Sequence, residues 1–363
     1  MKKITLSILI CISLIAAVII AKKQGYKIGY KRALTDTEFL KKKESWEKGF
    51  ENKFPLDPNK QTIRILSMNF GDDTPPQLSE VLPLHQIIRE KYNIEYVDKD
   101  PHIILHGHLN KHKVPNYPDA IKIFYTGEVF LENDPPKYLD NFDLVLGFDF
   151  IDKPNYFRLP FQYVYQPIAE KIRHDYDRKM SCNPKKKHFA CFLVSNGGEW
   201  RPGKFDGAST RTHLFHRLSL YKKVLSGGKY LNNIGSPAPN TFEFLSQCKF
   251  TIAYENTLNY PGYVTEKPFN AWLAGTVPIY NTEPSGLVDL NKNAVIFAGD
   301  FKDEEALVDY IIKVDNDDKL YCDIWNKHIT NDSSRDYESV KNELRKKVEE
   351  LFARKLKISS SEN

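Results

Sequence analysis

Short β-rich runs alternate with segments of helical periodicity between residues 60 and 335, and this alternation constrains the possible folds more than any other feature. In the first half, a helix over Leu84–Tyr92 is predicted after the first of five strands, which are Thr62–Phe70, Ile94–Val97, His102–His106, Ala120–Gly127 and Phe142–Phe148. Strands that alternate with helices favour a mostly parallel sheet covered on both faces. The sequence therefore predicts an α/β domain in this half.

The alternation begins again after the basic, proline-containing stretch Cys182–Lys187, which marks the predicted domain boundary. The predicted elements of the second half are His188–Val194 (strand), Thr210–Leu225 (helix), Phe250–Tyr254 (strand), Thr265–Leu273 (helix), Val277–Tyr280 and Ala294–Phe297 (strands) and Glu304–Val314 (helix). We thus expect two facing, doubly wound, Rossmann-like domains, at 60–184 and 185–335, with a ligand cleft between them. An amphipathic helix and tail at 336–363 should pack across both domains, with a membrane surface as the alternative.

The N-terminus contains the uncharged apolar run Ile4–Ala21, with lysines on both sides. Its length just suffices to span a bilayer, so we predict a transmembrane anchor within residues 1–23, bound to lipid through residues 4–21, rather than a cleaved signal peptide. More basic residues follow the run than precede it, which favours a cytoplasmic location for the rest of the chain, with the opposite orientation as the alternative. A charged stalk at 24–59 is expected either to lie on anionic lipid or to form a solvated linker.

Charge and cysteine spacing exclude several classes of protein. The net charge is +5, but residues 1–50 alone carry +7, so the globular part is nearly neutral and lacks the basic excess of a nucleic-acid-binding protein. The five cysteines are widely spaced, with no Cys-x-x-Cys pair, at Cys11, Cys182, Cys191, Cys248 and Cys322. This spacing implies neither a zinc module nor a disulfide framework, and it favours a reducing compartment.

The densest group of chemically active side chains follows one predicted strand of the second half. That strand ends in a carboxylate and an amide, Glu255 and Asn256. The helix predicted from Thr265 carries Glu266 and Lys267 in its first turn. Free N–H groups, the helix dipole and the lysine would together attract phosphate, while Glu266 could cap the helix or bind sugar hydroxyls.

A second carboxylate, Glu128, ends the predicted strand Ala120–Gly127 in the first half. If the two domains face each other, Glu128 lies across the cleft from Lys267. A carboxylate opposite a diphosphate can take a proton from a sugar hydroxyl. Taken alone, a glutamate at a strand end is more often a solvated or capping residue.

Together these motifs resemble the α1,3/4-fucosyltransferases of glycosyltransferase family 10. The resemblance rests on Tyr-Glu-Asn-Thr at 254–257, Tyr-Val-Thr-Glu-Lys at 263–267, Asn-Ala at 270–271, Ala-Gly at 274–275, Val-Pro at 277–278 and Phe-Tyr-Thr-Gly-Glu at 124–128. It covers about residues 120–159 and 188–299, and leaves the anchor, stalk and tail outside.

The resemblance implies a GT-B fold and an inverting α-(1,3)-fucosyltransferase that uses GDP-fucose, an acceptor glycan containing N-acetylglucosamine, such as N-acetyllactosamine, and no obligatory metal or other cofactor. By the same resemblance, the catalytic carboxylates would be Glu128, as general base, and Glu266, near the ribose or fucose. Asn256 and Tyr263 would bind the donor, with Lys267 on the diphosphate. The catalytic domain would be cytoplasmic in a bacterium and in the Golgi lumen in a eukaryote.

The family also places an arginine on the donor phosphates, for which Arg211 fits best and Arg201 or Arg217 are alternatives. The chemistry agrees with this assignment, because departure of a diphosphate needs fixed positive charge at the leaving group and a base at the nucleophile. Two cations together with a helix N-terminus can replace a divalent ion in that role.

Four other interpretations compete with this one. A metal-dependent transferase would hold manganese on acidic residues at 98–100 or 315–317. A zinc site could use His102, His106 and His108, which otherwise line a polar cleft. The chain could also be a membrane-tethered nucleotide- or glycan-binding protein without turnover, or a transferase for another nucleotide sugar.

Overall fold

The computed structural model describes residues 54–68, 82–108, 114–129, 137–164, 181–197, 206–331 and 337–356. Residues 54–59 belong to a separate unit from the chain that begins at Lys60. The predicted anchor and most of the predicted stalk lie outside the described residues. Within the ranges given above, no helix combines the length and apolar character needed to cross a membrane.

The first sheet has six parallel strands in the order β2-β1-β3-β4-β5-β6. Its elements are β1 (Thr62–Met68), helix α1 (Pro83–Lys91), β2 (Asn93–Tyr96), β3 (Ile103–His106), β4 (Ile121–Tyr125), β5 (Leu144–Gly147) and β6 (Tyr156–Arg158). Strands β3 and β5 are buried along their whole length, as expected for a parallel sheet covered on both faces. This sheet and its helices form the first lobe.

The second sheet has five parallel strands in the order β11-β10-β9-β7-β8. Its strands are β7 (His188–Phe192), β8 (Val224–Ser226), β9 (Cys248–Ile252), β10 (Val277–Tyr280) and β11 (Ile296–Phe297). Its helices are α2 (Gly207–Ser219), α3 (Thr241–Ser246), α4 (Lys267–Leu273), α5 (Glu304–Asn316) and α6 (Asp318–Trp325). These elements form the second lobe, so the predicted α/β class with parallel sheets is correct.

The C-terminal helix α7 (Tyr337–Lys355) returns to the first lobe. Its apolar positions Val340, Leu344 and Val348 are buried in the same core as Ile87 and Ile88 of helix α1. We expected this stripe to pack across both domains, but it completes the core of the first lobe. The helical spacing of the stripe shows that one face is buried, but it does not identify the sheet that the face covers.

Two short strands of the structure were not predicted. Strand β6 has three residues, and β8 lies where the predicted helix Thr210–Leu225 was expected to continue. Helix α2 instead ends at Ser219, before the exposed Leu220. Three residues are too few for an alternating pattern to be recognised in the sequence. Pairing with the neighbouring strand of the sheet stabilises these two short strands.

The cysteines correct another expectation, because four of them form disulfides. Cys191 on β7 pairs with Cys248 on the adjacent strand β9, and Cys182 pairs with Cys322 on α6. The partners are 57 and 140 residues apart in sequence. Only the crossover connections of the sheet bring them together, so spacing alone gave no signal.

The strand order of the second sheet places a topological switch point beside β7. Strand β8 lies on one side of β7 and β9 lies on the other, so the connections leave in opposite directions. Such a switch point opens a ligand crevice at the carboxyl ends of the strands. Glu255 and Asn256 follow β9 at this edge, and helix α2, which follows β7 in the chain, carries Arg211.

Candidate functional site

A fully buried carboxylate, Glu255, organises the edge of the second sheet. It accepts hydrogen bonds from the Thr265 backbone N–H at 2.9 Å, the Thr265 hydroxyl at 2.9 Å and the Tyr280 hydroxyl at 3.0 Å. The Lys267 ammonium lies 2.8 Å from Oε2 of the same carboxylate. Glu255 therefore fixes the position of Lys267. The sequence showed the carboxylate at the strand end but not this role.

Lys267 keeps its charge in this environment. Burial opposes protonation, but the charges of Glu255 and Glu266 outweigh it and raise the pKa of the Lys267 ammonium. The ammonium also donates to the Thr265 hydroxyl at 2.8 Å, and 26% of the side chain remains exposed. Lys267 is thus a cation held by Glu255 and Thr265, and part of its side chain is accessible to a ligand.

Arg211 supplies a second cation at the same edge of the sheet, near Glu255 and Lys267. Its guanidinium is buried, and Nη2 donates to the backbone oxygen of Asn196 at 2.6 Å. Burial lowers the pKa of Arg211, while the nearby Glu255 and Tyr263 act in the opposite direction. Its buried Nε finds no hydrogen-bond acceptor among the described residues. A buried guanidinium donor of this kind fits an anionic ligand such as phosphate.

Asn256 and Tyr263 lie at the two ends of one loop, residues 256–263, which we call the donor loop. The Tyr263 hydroxyl donates to the side-chain oxygen of Asn256 at 3.0 Å. At the start of α2, the Gly207 N–H donates to the backbone oxygen of Asn256 at 3.2 Å. A Cβ at Gly207 would lie 2.2 Å from the backbone oxygen of Glu255, so this close approach requires glycine.

Helix α4 begins at Lys267, two residues later than predicted, and has only seven residues. Its second residue is Pro268, which has no N–H, and the N–H of Thr265 already binds Glu255. The positive charge at this edge therefore comes mainly from Arg211 and Lys267 rather than from a helix N-terminus. Glu266 occupies the N-cap position but makes no capping hydrogen bond with its side chain.

On the first lobe, Glu128 follows β4 in a turn held by Thr126. The Thr126 hydroxyl accepts from the Glu128 N–H at 2.9 Å and donates to the Glu128 backbone oxygen at 2.8 Å. The next residue, Val129, packs in one apolar cluster with Phe148 of the first lobe and Tyr263 of the second. The backbone that carries Glu128 therefore adjoins the donor loop, which links the two candidate groups through one cluster.

Two further polar contacts join the lobes near this cluster. The Tyr260 hydroxyl donates to Oδ1 of Asp149 at 2.7 Å. Arg158 makes two hydrogen bonds to the Asp289 carboxylate, at 3.1 and 2.5 Å. None of these residues was predicted as a site residue, because each pair is separated by more than a hundred positions in the chain.

Other sequence candidates lie elsewhere. Arg217 pairs with the helix α5 residues Glu304 and Glu305, and Arg201 lies outside the described residues. His106 is buried between Phe124 and Phe142, so it does not line a cleft. Asp315, from the acidic stretch 315–317, binds Lys222 and contacts the buried Lys249. In the part of the chain that the structure describes, no group of three or more His, Cys, Asp or Glu side chains is arranged to hold a metal.

The fold and this edge define a two-lobed α/β protein with two cations, Arg211 and Lys267, at the carboxyl ends of the strands of its second lobe. Two family models match the chain. "Glycosyltransferase family 10 (fucosyltransferase) C-term" matches residues 183–354, and "Alpha-(1,3)-fucosyltransferase FucT N-terminal domain" matches residues 67–165. Together they span about three quarters of the sequence, and the chain belongs to glycosyltransferase family 10.

Curated relatives are similar over part of their length. The alpha-(1,3)-fucosyltransferase FucT of Helicobacter pylori is 31% identical over 243 residues, which are 58% of this chain and 48% of the relative. The 4-galactosyl-N-acetylglucosaminide 3-alpha-L-fucosyltransferase 9 of Mus musculus is 29% identical over 164 residues, 43% of this chain and 42% of the relative. The chain thus spans about half the length of these relatives, or less.

Solved structures share the fold. A crystal structure of an alpha1,3-fucosyltransferase has a TM-score of 0.63 at 23% identity, covering 85% of this chain and 93% of the other. A crystal structure of alpha1,3-fucosyltransferase with GDP-fucose has a TM-score of 0.60 at 23% identity, covering 84% of this chain and 94% of the other. At this identity the likeness supports the arrangement of the two lobes.

Proposed function

We propose that the chain is an inverting α-(1,3)-fucosyltransferase of the GT-B type, which transfers fucose from GDP-fucose to a glycan containing N-acetylglucosamine. The observation that carries the proposal is the apolar cluster of Val129, Phe148 and Tyr263, because it joins the backbone of Glu128 to the loop beside the two cations. Membership of family 10 and the names of the relatives support fucose transfer and the linkage, and the solved structure with GDP-fucose supports the donor.

In the proposed reaction, Arg211 and Lys267 hold the diphosphate of the donor. The acceptor hydroxyl oxygen attacks the anomeric carbon of fucose, and the bond from that carbon to the diphosphate oxygen breaks with its electron pair on GDP. Fixed positive charge lowers the barrier because negative charge grows on the leaving oxygen in the transition state. The two charged side chains act in place of a divalent ion, so we propose that no metal is required.

Glu128 is the proposed general base, and the proton of the acceptor hydroxyl passes to its carboxylate. Asn256 and Tyr263 are proposed to contact the donor from the loop that they close. The Glu266 carboxylate, which is half-buried beside Lys267, is proposed to bind ribose or fucose hydroxyls. One displacement converts a β-linked donor into an α-linked product.

Turnover and linkage test this proposal directly. The full chain should transfer fucose from GDP-fucose to N-acetyllactosamine, and NMR of the product should show an α-(1,3) linkage. Glu128→Gln should lower the rate about 10²–10⁴-fold with unchanged GDP affinity. Glu95→Gln, at an exposed position on the edge strand β2, is the matched control. Donor binding without transfer would favour the non-catalytic alternative, and transfer from another nucleotide sugar would overturn the donor assignment.

For the cell, we propose that residues 4–21 anchor the chain in a membrane and that the two lobes fold in an oxidising compartment. The disulfides Cys182–Cys322 and Cys191–Cys248 support the second part, since such bonds persist outside a reducing cytosol. This would orient the anchor opposite to the direction expected from the lysine count.

A further inference from the structure

The contact between Asp149 and Tyr260 attaches the donor loop to the first lobe. Asp149 is 5% exposed and lies just beyond the carboxyl end of β5. Its Oδ1 accepts from the Tyr260 hydroxyl at 2.7 Å, and its Oδ2 accepts from the Tyr156 hydroxyl at 3.3 Å. The Asp149 N–H donates to the oxygen of the same Tyr156 hydroxyl at 3.0 Å. The carboxylate is thus held by its own lobe while it binds the other.

The donor loop is shaped to present Tyr260 at this point. Asn259 and Gly262 both have left-handed backbone conformations, with φ of 55° and 75°, and they bracket Tyr260 and Pro261. A Cβ at Gly262 would lie 2.9 Å from the Phe150 ring and 3.2 Å from the backbone oxygen of Phe148. The tip of the loop therefore presses against the first lobe.

The neighbouring aromatic contacts extend this attachment to the donor residues. The Phe148 ring lies 6.0 Å from the Tyr260 ring and 5.2 Å from the Tyr263 ring, measured between centroids. Tyr263 in turn donates to Asn256. A displacement of Tyr260 would consequently move both side chains that are proposed to contact the donor.

We propose that Asp149 is a positioning residue: from the first lobe it holds Tyr260, and through it the donor loop, in the conformation that binds the nucleotide sugar. This inference rests on the proposed function and adds a residue to it. Asp149 touches neither substrate in this proposal. It acts through the loop, so its loss should weaken donor binding and leave acceptor binding unchanged.

The proposal predicts that donor binding depends on pH, because the Asp149 carboxyl can gain or lose a proton. Burial raises the pKa of Asp149 to about 6, against the effects of the Tyr260 and Tyr156 hydroxyls, its own N–H and the positive charge of Arg158. Of these groups, Tyr156 and Arg158 face the carboxyl from β6 and Tyr260 faces it from the donor loop. Above about pH 6 the acceptor of the Tyr260 bond is charged, and below that pH it is neutral and weaker.

The test compares Tyr260→Phe and Asp149→Asn with Tyr221→Phe in the full chain. Tyr221 is the matched control because its hydroxyl also donates to a carboxylate, that of Asp315, at 3.0 Å and away from the donor loop. Hydrogen exchange of residues 254–266 reports the loop, calorimetry with GDP reports binding, and kinetics report the KM values for GDP-fucose and acceptor.

At pH 8 we expect Tyr260→Phe to raise the donor KM about tenfold, to leave the acceptor KM unchanged and to accelerate exchange in the loop. Asp149→Asn keeps an acceptor oxygen and should have a smaller effect, about threefold. The donor KM of the unsubstituted chain should rise toward that of Asp149→Asn as the pH falls through about 6, so the difference between the two should disappear at low pH.

Two results separate this inference from the proposed function. If the chain transfers fucose but Tyr260→Phe changes neither exchange nor donor KM, or Tyr221→Phe changes them equally, Asp149 does not position the loop. If the chain transfers no fucose while Tyr260→Phe still loosens the loop and weakens GDP binding, the positioning role stands and the proposed reaction fails. Should Tyr260→Phe not fold, the pH comparison with Asp149→Asn decides.

Discussion

Replacing Glu255 by glutamine tests whether a buried anion holds the Lys267 cation in place for the donor. The carboxylate is 0% exposed and receives hydrogen bonds from Thr265, Tyr280 and Lys267. A glutamine has the same shape and retains one acceptor oxygen. Its amide nitrogen cannot accept a hydrogen bond from the Lys267 ammonium. Because the amide is neutral, the substitution also removes the negative charge that compensates Lys267.

The expected loss follows from the burial of the two partners. Removing one member of a buried ion pair costs about 3–5 kcal/mol, because the other charge stays in a poor dielectric. Lys267 is 26% exposed and can regain some water, and Thr265 and Tyr280 keep an acceptor. We therefore expect Glu255→Gln to lower the free energy of unfolding by about 2–3 kcal/mol.

Bound GDP should recover part of this loss. If the diphosphate lies at Lys267 and Arg211, it supplies the negative charge that the substitution removed. By linkage, the destabilisation measured with saturating GDP should then be smaller by about 1 kcal/mol, equivalent to roughly fivefold tighter GDP binding by the variant. Urea unfolding of the full chain with and without GDP measures both quantities.

Tyr280→Phe provides the control, because it removes one neutral donor from the same carboxylate and leaves all charges in place. We expect it to cost about 1 kcal/mol, with an unchanged effect of GDP. Equal destabilisation of Glu255→Gln with and without GDP would show that the diphosphate does not lie at Lys267. A loss no larger than that of Tyr280→Phe would show that the ion pair contributes little.

Two further predictions concern the buried groups that the sequence did not reveal. The raised pKa of Asp149, about 6 instead of 3.8, means that its contribution to stability is fully present below about pH 3.8 and is lost as the pH rises through about 6. Relative to Asp149→Asn, the unsubstituted chain should thus lose about 3 kcal/mol of unfolding free energy between pH 4 and pH 8. If the unfolding free energies of the two proteins change in parallel with pH, the assigned pKa is wrong. Mass spectrometry of the denatured, unreduced chain should find Cys182, Cys191, Cys248 and Cys322 protected from alkylation; labelling of these four without reductant would contradict both disulfides.

The repeating strands and helices were predictable because they depend on local pattern. The apolar runs at β7 and β10 stand out in the sequence, since a strand buried on both faces needs apolar residues along its length. The three-residue strands β6 and β8 do not, because neighbouring strands stabilise them. The disulfides and the return of α7 to the first lobe depend on the order of connections, which local pattern does not contain.

The residues of the candidate site also fall into those that the local sequence reveals and those whose role depends on the fold. Asn256, Tyr263, Glu266 and Lys267 could be found because they share one short stretch, and Glu128 because it ends an apolar strand. Glu255 lies in that same stretch, but its role requires knowing that Tyr280 and Thr265 enclose it.

The role proposed for Asp149 is the one that the sequence reveals least. In the sequence Asp149 is one acidic residue between two phenylalanines, and its proposed role arises only when a loop from 111 positions later lies against it. A buried carboxylate that lowers stability when ionised is a local conflict that a fold selected for stability alone would avoid. At pH 8 we expect this charged acceptor for Tyr260 to strengthen donor binding about threefold, while the burial of its charge lowers the free energy of unfolding by about 3 kcal/mol, so Asp149 favours donor binding and weakens the fold. Measuring the free energy of unfolding and the GDP affinity of Asp149→Asn and of the unsubstituted chain at pH 8 tests both effects. The variant should be more stable than the unsubstituted chain and should bind GDP less tightly.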